Sequence, residues 1–388
     1  MTMYDAILVG GGLQNGLLAL ALAQRGGQRI ALVERGARLG GNHTWCFHAG
    51  DVPRAALSWL EPLIVQRWPG YVVRFPDFER WLDEPYAAVT SDRLHEVLIR
   101  HAAIQPGLEL KLGEAVRVVG PRRVELASGQ VLEGELVVDA RGPEAFEADP
   151  DTAYQKFVGH ELEVDPHPAL LPTLMDACVP QTDGFRFFYL LPLAPDRVLL
   201  EDTYFSDSPR LDRAHLGAEI LAQAARLGLG VRRVIREETG VLPLPTRRVP
   251  AFHAAPGLVH GGYRGGWFHP TTGYSFPLAL RLANALASLS PAELEQGLVR
   301  LGRERARQQR FCLLLNRMMF DGFRAEERFR ALERFYRLPV PTLRRFYSLS
   351  LTPADRVRIL CGRPPTGFSP RRFMQGRTIA SESRGESR

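Results

Sequence analysis

Residues 4–35, "YDAILVGGGLQNGLLALALAQRGGQRIALVER", read as an apolar strand, a glycine turn, an apolar helix, a glycine stop and a second strand that ends in an acid. Few folds accept that order. Parallel strands cannot be joined by a tight turn and take a helical crossover, so the segment predicts a βαβ unit. Each fixed position has a physical task. Gly10 permits the tight turn, Gly12 lets the backbone approach a pyrophosphate, and the helix starting near Leu13 aims its positive end at that group. Glu34 closes the second strand where it can bind ribose hydroxyls. The third glycine of the dinucleotide fingerprint is missing: Asn15 stands there and Gly16 comes one residue late. Close packing of the helix is therefore left open, and an empty structural turn is the competing reading.

The chain is 388 residues long with 45% apolar and 24% charged residues, which suits folded domains and neither disorder nor a coiled rod. The formal charge of +6 rests almost entirely on Arg, and composition alone does not rank nucleic acid, an anionic cofactor or an acidic lipid surface as its target. Cys46, Cys178, Cys312 and Cys361 lack any C-x-x-C spacing, so neither a zinc knuckle nor a disulfide framework is expected, and no metal site is assigned. The first residues lack a basic leader, and no run of about 18 apolar residues follows.

"SDRLHEVLIRHAA" predicts a helix opened by Ser91, followed by short strands with a turn at Ser128-Gly129. From about residue 150 to 250 the chain becomes rich in proline and aromatic strands, which predicts a second, mostly β region. After Gly257 strand, glycine loop and helix return, with Ser275 placed to cap and Pro277 in the first turn. The expected division is a discontinuous dinucleotide domain (1–75, 88–148 and 252–297), a substrate domain (149–251 with 70–87), a C-terminal helical region (298–364) and a disordered tail (365–388). In the helical region Phe311, Leu314, Leu315, Met318 and Met319 fall on adjoining turns beside many arginines. A helical cap with a solvated Arg face and a lipid-contacting surface are both open readings.

FAD is favoured over a nicotinamide as the resident nucleotide. The Glu34-Arg35 pair followed by "GARLGGNHTW" is similar to the adenosine side of FAD enzymes, and the chain holds one such βαβ unit. Gly11, Leu13, Asn15, Arg35, Asp139, Thr272 and Gly273 join Gly10, Gly12 and Glu34 as candidate cofactor contacts.

In "LLEDTYF" two acids follow each other in an apolar strand. Side chains alternate along a strand, so Leu199, Glu201, Thr203 and Phe205 share one face while Val198, Leu200, Asp202 and Tyr204 share the other. Only one acid can face a given cavity. The partner strand is "FRFFYLLPL", turned through "APDR", with Phe185, Phe187 and Tyr189 on one face. A salt bridge to an arginine is the plain reading of Glu201. The alternative is a carboxyl kept protonated by its apolar surroundings and able to act as an acid, near aromatic faces that suit a cation.

"GGNHTW", "DGFRFFYLLPL", "LLEDTYF", "FHPTTGYSFPLA" and "RQQRFCLLLNRMMF" together resemble bacterial lycopene β-cyclases of the flavin-dependent type, from about Tyr4 to Pro364. The resemblance implies an α/β fold with a large mixed sheet, built as an FAD-binding Rossmann-like domain of the reductase and hydroxylase type, a β-rich substrate domain and a C-terminal helical cap. It implies conversion of lycopene and related C40 carotenoids through γ-carotene to β-carotene by proton-initiated, carbocationic ring closure. That reaction needs reduced FAD, with NAD(P)H as electron source, and has no net redox change. By the same resemblance Glu201 matches the acid–base residue and Asp202 the neighbouring acid, while Phe185, Phe187, Tyr189 and Trp267 are expected to wall the substrate pocket. The expected setting is cytoplasmic, peripheral to the inner face of the cell membrane, in contact with lipid and other carotenoid enzymes and not with nucleic acid. The rival readings are an FAD-dependent NADPH aromatic-type monooxygenase and a non-catalytic carotenoid-binding flavoprotein.

Overall fold

The computed structural model describes residues 3–142, 149–167, 170–249, 254–289 and 291–376. Strand β1 (Tyr4–Val9) is buried on both faces and lies parallel to β2 (Ile30–Glu34) on one side and to Val131–Asp139 on the other. Helix α1 (Leu13–Ala23) is buried along its whole length, because the sheet lies on one side and helix α4 (Phe276–Ser288) packs on another. A helix apolar on every face beyond its first turn needs such a position. Among the described residues the strands form three sheets of eight, seven and three.

The second sheet carries the acids. Its order begins with β7 (Val231–Pro245), β4 (Thr152–Val164), β6 (Arg197–Ser206) and β5 (Phe185–Ala194), all antiparallel neighbours. Thr173–Asp176, Tyr71–Phe75 and Phe78–Leu82 complete it. Strand β7 lies at the edge, where Pro243 and Pro245 remove no ladder bond that a central strand would need. The smallest sheet holds β3 (Thr44–His48), Tyr86–Thr90 and Gln66–Trp68. Helix α2 (Ser91–Ile104) starts one residue later than its cap: the Thr90 hydroxyl, not Ser91, accepts from the Arg93 amide at 3.2 Å.

Helix α5 (Pro291–Gly322) straps the two large sheets together. The amide of Asn316 donates to the carbonyls of Pro245 at 2.8 Å and Pro270 at 2.7 Å, Arg305 donates to Gly265 O, and Gln309 donates to Gly266 O. Its apolar stripe faces inward. Met319 packs with Phe185 and Phe187, and Phe311 packs with Phe346 and Leu351, so this helix does not present those residues to lipid. The tail expectation is also corrected in part. Phe368 stacks edge-on against Phe323 and occupies the space over Gly322, and Pro370–Gln375 is helical. Residues 377–388 lie outside the described part.

Candidate functional site

Two cavities meet at one wall. The first is a cleft of about 610 Å³ lined by Gly10, Gly12, Leu13, Glu34, Arg35, Arg141 and Trp267, among others. Gly10 adopts φ +93°, and a Cβ there would lie 3.1 Å from the Arg141 amide nitrogen, so the turn admits no side chain. Gly12, the N-cap of α1, has open space where a Cβ would project, and no side chain caps the helix. The first-turn amides are left for an anion. The carboxylate of Glu34 accepts from the Gly11 amide at 2.7 Å and the Gly36 amide at 2.8 Å. Each of its oxygens keeps a second lone pair for a ribose hydroxyl. Open glycines, uncapped amides and a fixed acid at the strand end fit an FAD.

Asn15 explains the missing glycine. Its amide nitrogen lies 2.9 Å from the carbonyls of Val9 and Gly10, so it ties the turn from beneath and does not face the cleft. Gly16 takes the close approach, with a Cβ there only 3.0 Å from Leu94 of α2. Asp139 likewise acts from behind: it holds Arg141 by two bonds at 2.9 and 2.8 Å, and Arg141 lines the cleft.

The second cavity, about 210 Å³, contains Glu201. Residues directly opposite in antiparallel strands share a face, and the register sets Tyr189, Glu201, Gly159 and Glu238 in one row across β5, β6, β4 and β7. Trp45, Tyr86, Phe157, Tyr274, Phe276, Tyr336 and Tyr347 close the space around that row. The Thr203 hydroxyl donates to Glu201 at 2.6 Å. Burial, then the neighbouring charge of Glu238, pushes the Glu201 carboxyl well above the usual carboxylate range. The pocket thus sets a carboxyl whose charged form burial disfavours among electron-rich rings.

Several expected positions fall elsewhere. Asp202 points to the opposite face of the sheet, where Arg186 grips it at 2.9 and 2.7 Å and the Tyr204 hydroxyl donates to it. Phe185 and Phe187 are fully buried behind the pocket wall; Phe187 meets Tyr189 edge-on with ring centroids 5.2 Å apart. Trp267 belongs to the cofactor cleft, with the Arg305 guanidinium 4.5 Å above its ring. Thr272 and Gly273, expected at the cofactor, line the acid pocket instead. Ser275 occupies the N-cap of α4 without making a cap bond. It lines both cavities, as do His43, Trp45 and Tyr263. His269 anchors the intervening loop. One ring nitrogen donates to Phe346 O at 2.9 Å and the other accepts from the Thr271 amide at 3.2 Å. That arrangement needs the neutral ring, and burial pushes its pKa down to about 3.

Glu238 escaped the sequence reading, although "REETG" repeats the acid, acid, threonine order of "LEDTY". The aromatic wall from β3, Tyr86, Phe157 and the 336–347 segment was also missed. Its members are dispersed along the chain and carry no local signature.

Solved structures with this architecture include a probable FAD-dependent monooxygenase from Pseudomonas aeruginosa, 18% identical, with a TM-score of 0.59 over 82% of this chain and 96% of that one. A geranylgeranyl bacteriochlorophyll reductase-like protein from Thermoplasma acidophilum, 15% identical, gives a TM-score of 0.59 over 93% and 96%. Both report the fold alone. In sequence, the lycopene β-cyclase of Pseudescherichia vulneris is 44% identical over 94% of this chain and 95% of its own length. That of Pantoea ananas is 42% identical over 93% and 95%. The profile of lycopene cyclase proteins matches residues 5–372, which takes in the glycine turn, the row of acids and the strap helix alike, and the chain belongs to the lycopene cyclase family.

Proposed function

We propose that this chain closes β-ionone rings on the ends of lycopene, giving β-carotene by way of γ-carotene. The observation that carries this reading is a buried Glu201, its carboxyl pushed well above the usual range by burial, facing an aromatic pocket that abuts a dinucleotide cleft. Its O–H donates a proton to the terminal double bond, the C5=C6 bond attacks the tertiary cation, and loss of the C6 proton leaves the ring. Substrate and product are isomers, so no electrons are consumed.

An alkene is a poor base, and a carboxyl that burial keeps protonated is a weak acid. The rate therefore depends on stabilising the cation in a dry, preorganised space. Tyr189, Tyr86, Trp45 and Phe276 line that space and offer ring faces to a cation. Gly10, Gly12, Leu13 and Glu34 would hold a reduced FAD, which would supply negative charge to steady the cation, with NAD(P)H as its source of electrons.

Anaerobic incubation of the chemically reduced holoprotein with lycopene, followed by product chromatography, is expected to yield β-carotene with the flavin still reduced. Lycopene returned unchanged would leave a carotenoid-binding flavoprotein. An oxygenated product coupled to oxygen uptake in air would establish the monooxygenase reading.

Lycopene is insoluble in water, so the substrate reaches the pocket from a bilayer. No helix among the described residues is long and apolar enough to cross one. The C-terminal helices Pro353–Leu360 and Pro370–Gln375 support peripheral contact instead: Val357, Leu360 and Met374 are 59%, 40% and 78% exposed, and Arg358, Arg363, Arg371 and Arg372 are exposed around them in sequence. Basic side chains near an anionic surface contribute about 1 kcal/mol each, and inserted apolar groups add to that. Replacing Val357, Leu360 and Met374 together by Asp is expected to remove most flotation with anionic liposomes while turnover in detergent persists. Undiminished flotation would assign the contact to another face.

A further inference from the structure

The most unusual electrostatic feature of the second sheet is a second carboxyl in the acid pocket. Gly159, on the central strand β4, stands opposite Glu201 on one side and Glu238 on the other. The two acids rise on the same face from strands that flank a residue with no side chain. A Cβ on Gly159 would lie 3.0 Å from Glu238 Cγ, 3.3 Å from Glu238 Oε1 and 3.4 Å from Glu201 Cβ. That empty place lets the two carboxyls approach each other, and the charge of Glu238 stands second to burial among the causes that raise the Glu201 carboxyl.

Carboxyl-to-carboxyl hydrogen bonding requires one proton between the two groups. The surroundings decide which group owns it. Glu238 is 2% exposed, and one of its oxygens accepts from the Thr44 hydroxyl at 3.0 Å and from Arg236 Nη1 at 2.8 Å. Arg236 is itself held by Glu161 at 3.1 Å, Asn42 at 2.9 Å and Thr44 at 2.8 Å. Apart from Glu238, Glu201 has the Thr203 hydroxyl among the described residues. Burial raises both carboxyls, Glu201 further, and the fixed cation lies on the Glu238 side, so the surroundings favour Glu238 as the carboxylate and Glu201 as the acid.

We propose that Glu238 is a positioning residue for the ring closure, an anion clamped by Arg236 and Thr44 that shares one proton with Glu201 across Gly159 and keeps Glu201 loaded between turnovers. This inference rests on the reading that Glu201 delivers the proton. In the forward step the Glu201 O–H bond breaks as a C–H bond forms at the polyene end. Two carboxylates then face one dry cavity, and both attract the cation. The C6–H bond next breaks and the O–H bond re-forms, so the like-charge repulsion that held the proton in place also returns it. No electrons leave and no other reactant is needed.

Other groups around the pair leave its charge balance to Arg236. Burial pushes the Tyr189 phenol and the Cys46 thiol up and the His43 ring down, so all three are neutral in the working range. Asp202, on the reverse face, is paired with Arg186, and Glu161 is paired with Arg197 and Arg236.

The sign of the pH effect follows. Turnover needs protonated Glu201, which is present below its pKa and lost as pH rises through it. Removing the neighbouring negative charge lowers that pKa, so Glu238→Gln moves the alkaline limb of turnover to lower pH by about one unit or more. The direct readout is infrared spectroscopy of the flavin-loaded full chain without substrate, following the protonated-carboxyl stretch that Glu201→Gln abolishes. This band is expected at neutral pH in the parent chain and is expected to titrate away at lower pH in Glu238→Gln. An unshifted titration, or no such band in the parent chain, overturns the proposal. If Glu238→Gln fails to fold, Gly159→Ala serves, because its Cβ wedges the pair apart and is expected to displace the band in the same direction. A band that behaves as described in a protein that leaves lycopene unchanged would sink the cyclase reading and spare the pair.

Discussion

Glu201→Gln holoprotein is expected to bind flavin as the parent chain does and to close rings at least about 10³-fold more slowly, within the range for loss of a positioned general acid. Glutamine keeps the size of the side chain and can still accept the Thr203 hydroxyl bond that lies at 2.6 Å, so the pocket should not collapse. It also removes a buried ionisable group, and the variant should be no less stable than its parent. The measurement is β-carotene formed per flavin under anaerobic reducing conditions, with flavin content read from absorbance. Turnover within a few-fold of the parent would take Glu201 out of the chemistry and leave the flavin cleft as the source of the proton.

Asp202→Asn should behave in the opposite way. Asp202 is fully buried, and Arg186, itself 4% exposed, is gripped by both of its oxygens. The other charged partner of Arg186 among the described residues is Glu219 of helix α3 (Arg213–Arg226) at 2.9 Å, and the Phe188 and Tyr204 rings lie beside its guanidinium. Neutralising Asp202 strands most of a buried positive charge, and breaking such a pair costs about 3–5 kcal/mol. Urea unfolding should show that loss while ring closure per bound flavin in the folded fraction stays close to the parent value. A full-stability variant with no turnover would instead give Asp202 a part in catalysis.

These two variants separate what strand alternation could foretell from what it could not. That one of two neighbouring acids must face away from a cavity follows from the period of a strand, and the β5–β6 hairpin delivers that outcome with Tyr189 beside Glu201. The glycine turn, Glu34 and the βαβ order were legible for the same reason, since each depends on neighbours a few residues away. Glu238 was not, because it reaches Glu201 only through the pairing of β4 with both β6 and β7. Trp267, Thr272 and Gly273 lie on one loop between two cavities, and sequence spacing does not say toward which cavity a loop residue turns. Asn15 shows the complementary limit. A motif position that looked like a cofactor contact secures the turn by side-chain bonds to Val9, Gly10 and Val138, a task that a glycine could not perform.

The size of the acid pocket bears on the order of events. The space open to water around Glu201 is about 210 Å³, a small chamber beside a forty-carbon polyene. A chain that long can insert only one tip, with its remainder threaded outward. The expected order is one ring, withdrawal of the half-finished molecule, and re-entry by the other tip, so an excess of fresh lycopene is expected to compete with the monocyclic species for the same opening and to raise its share of the products.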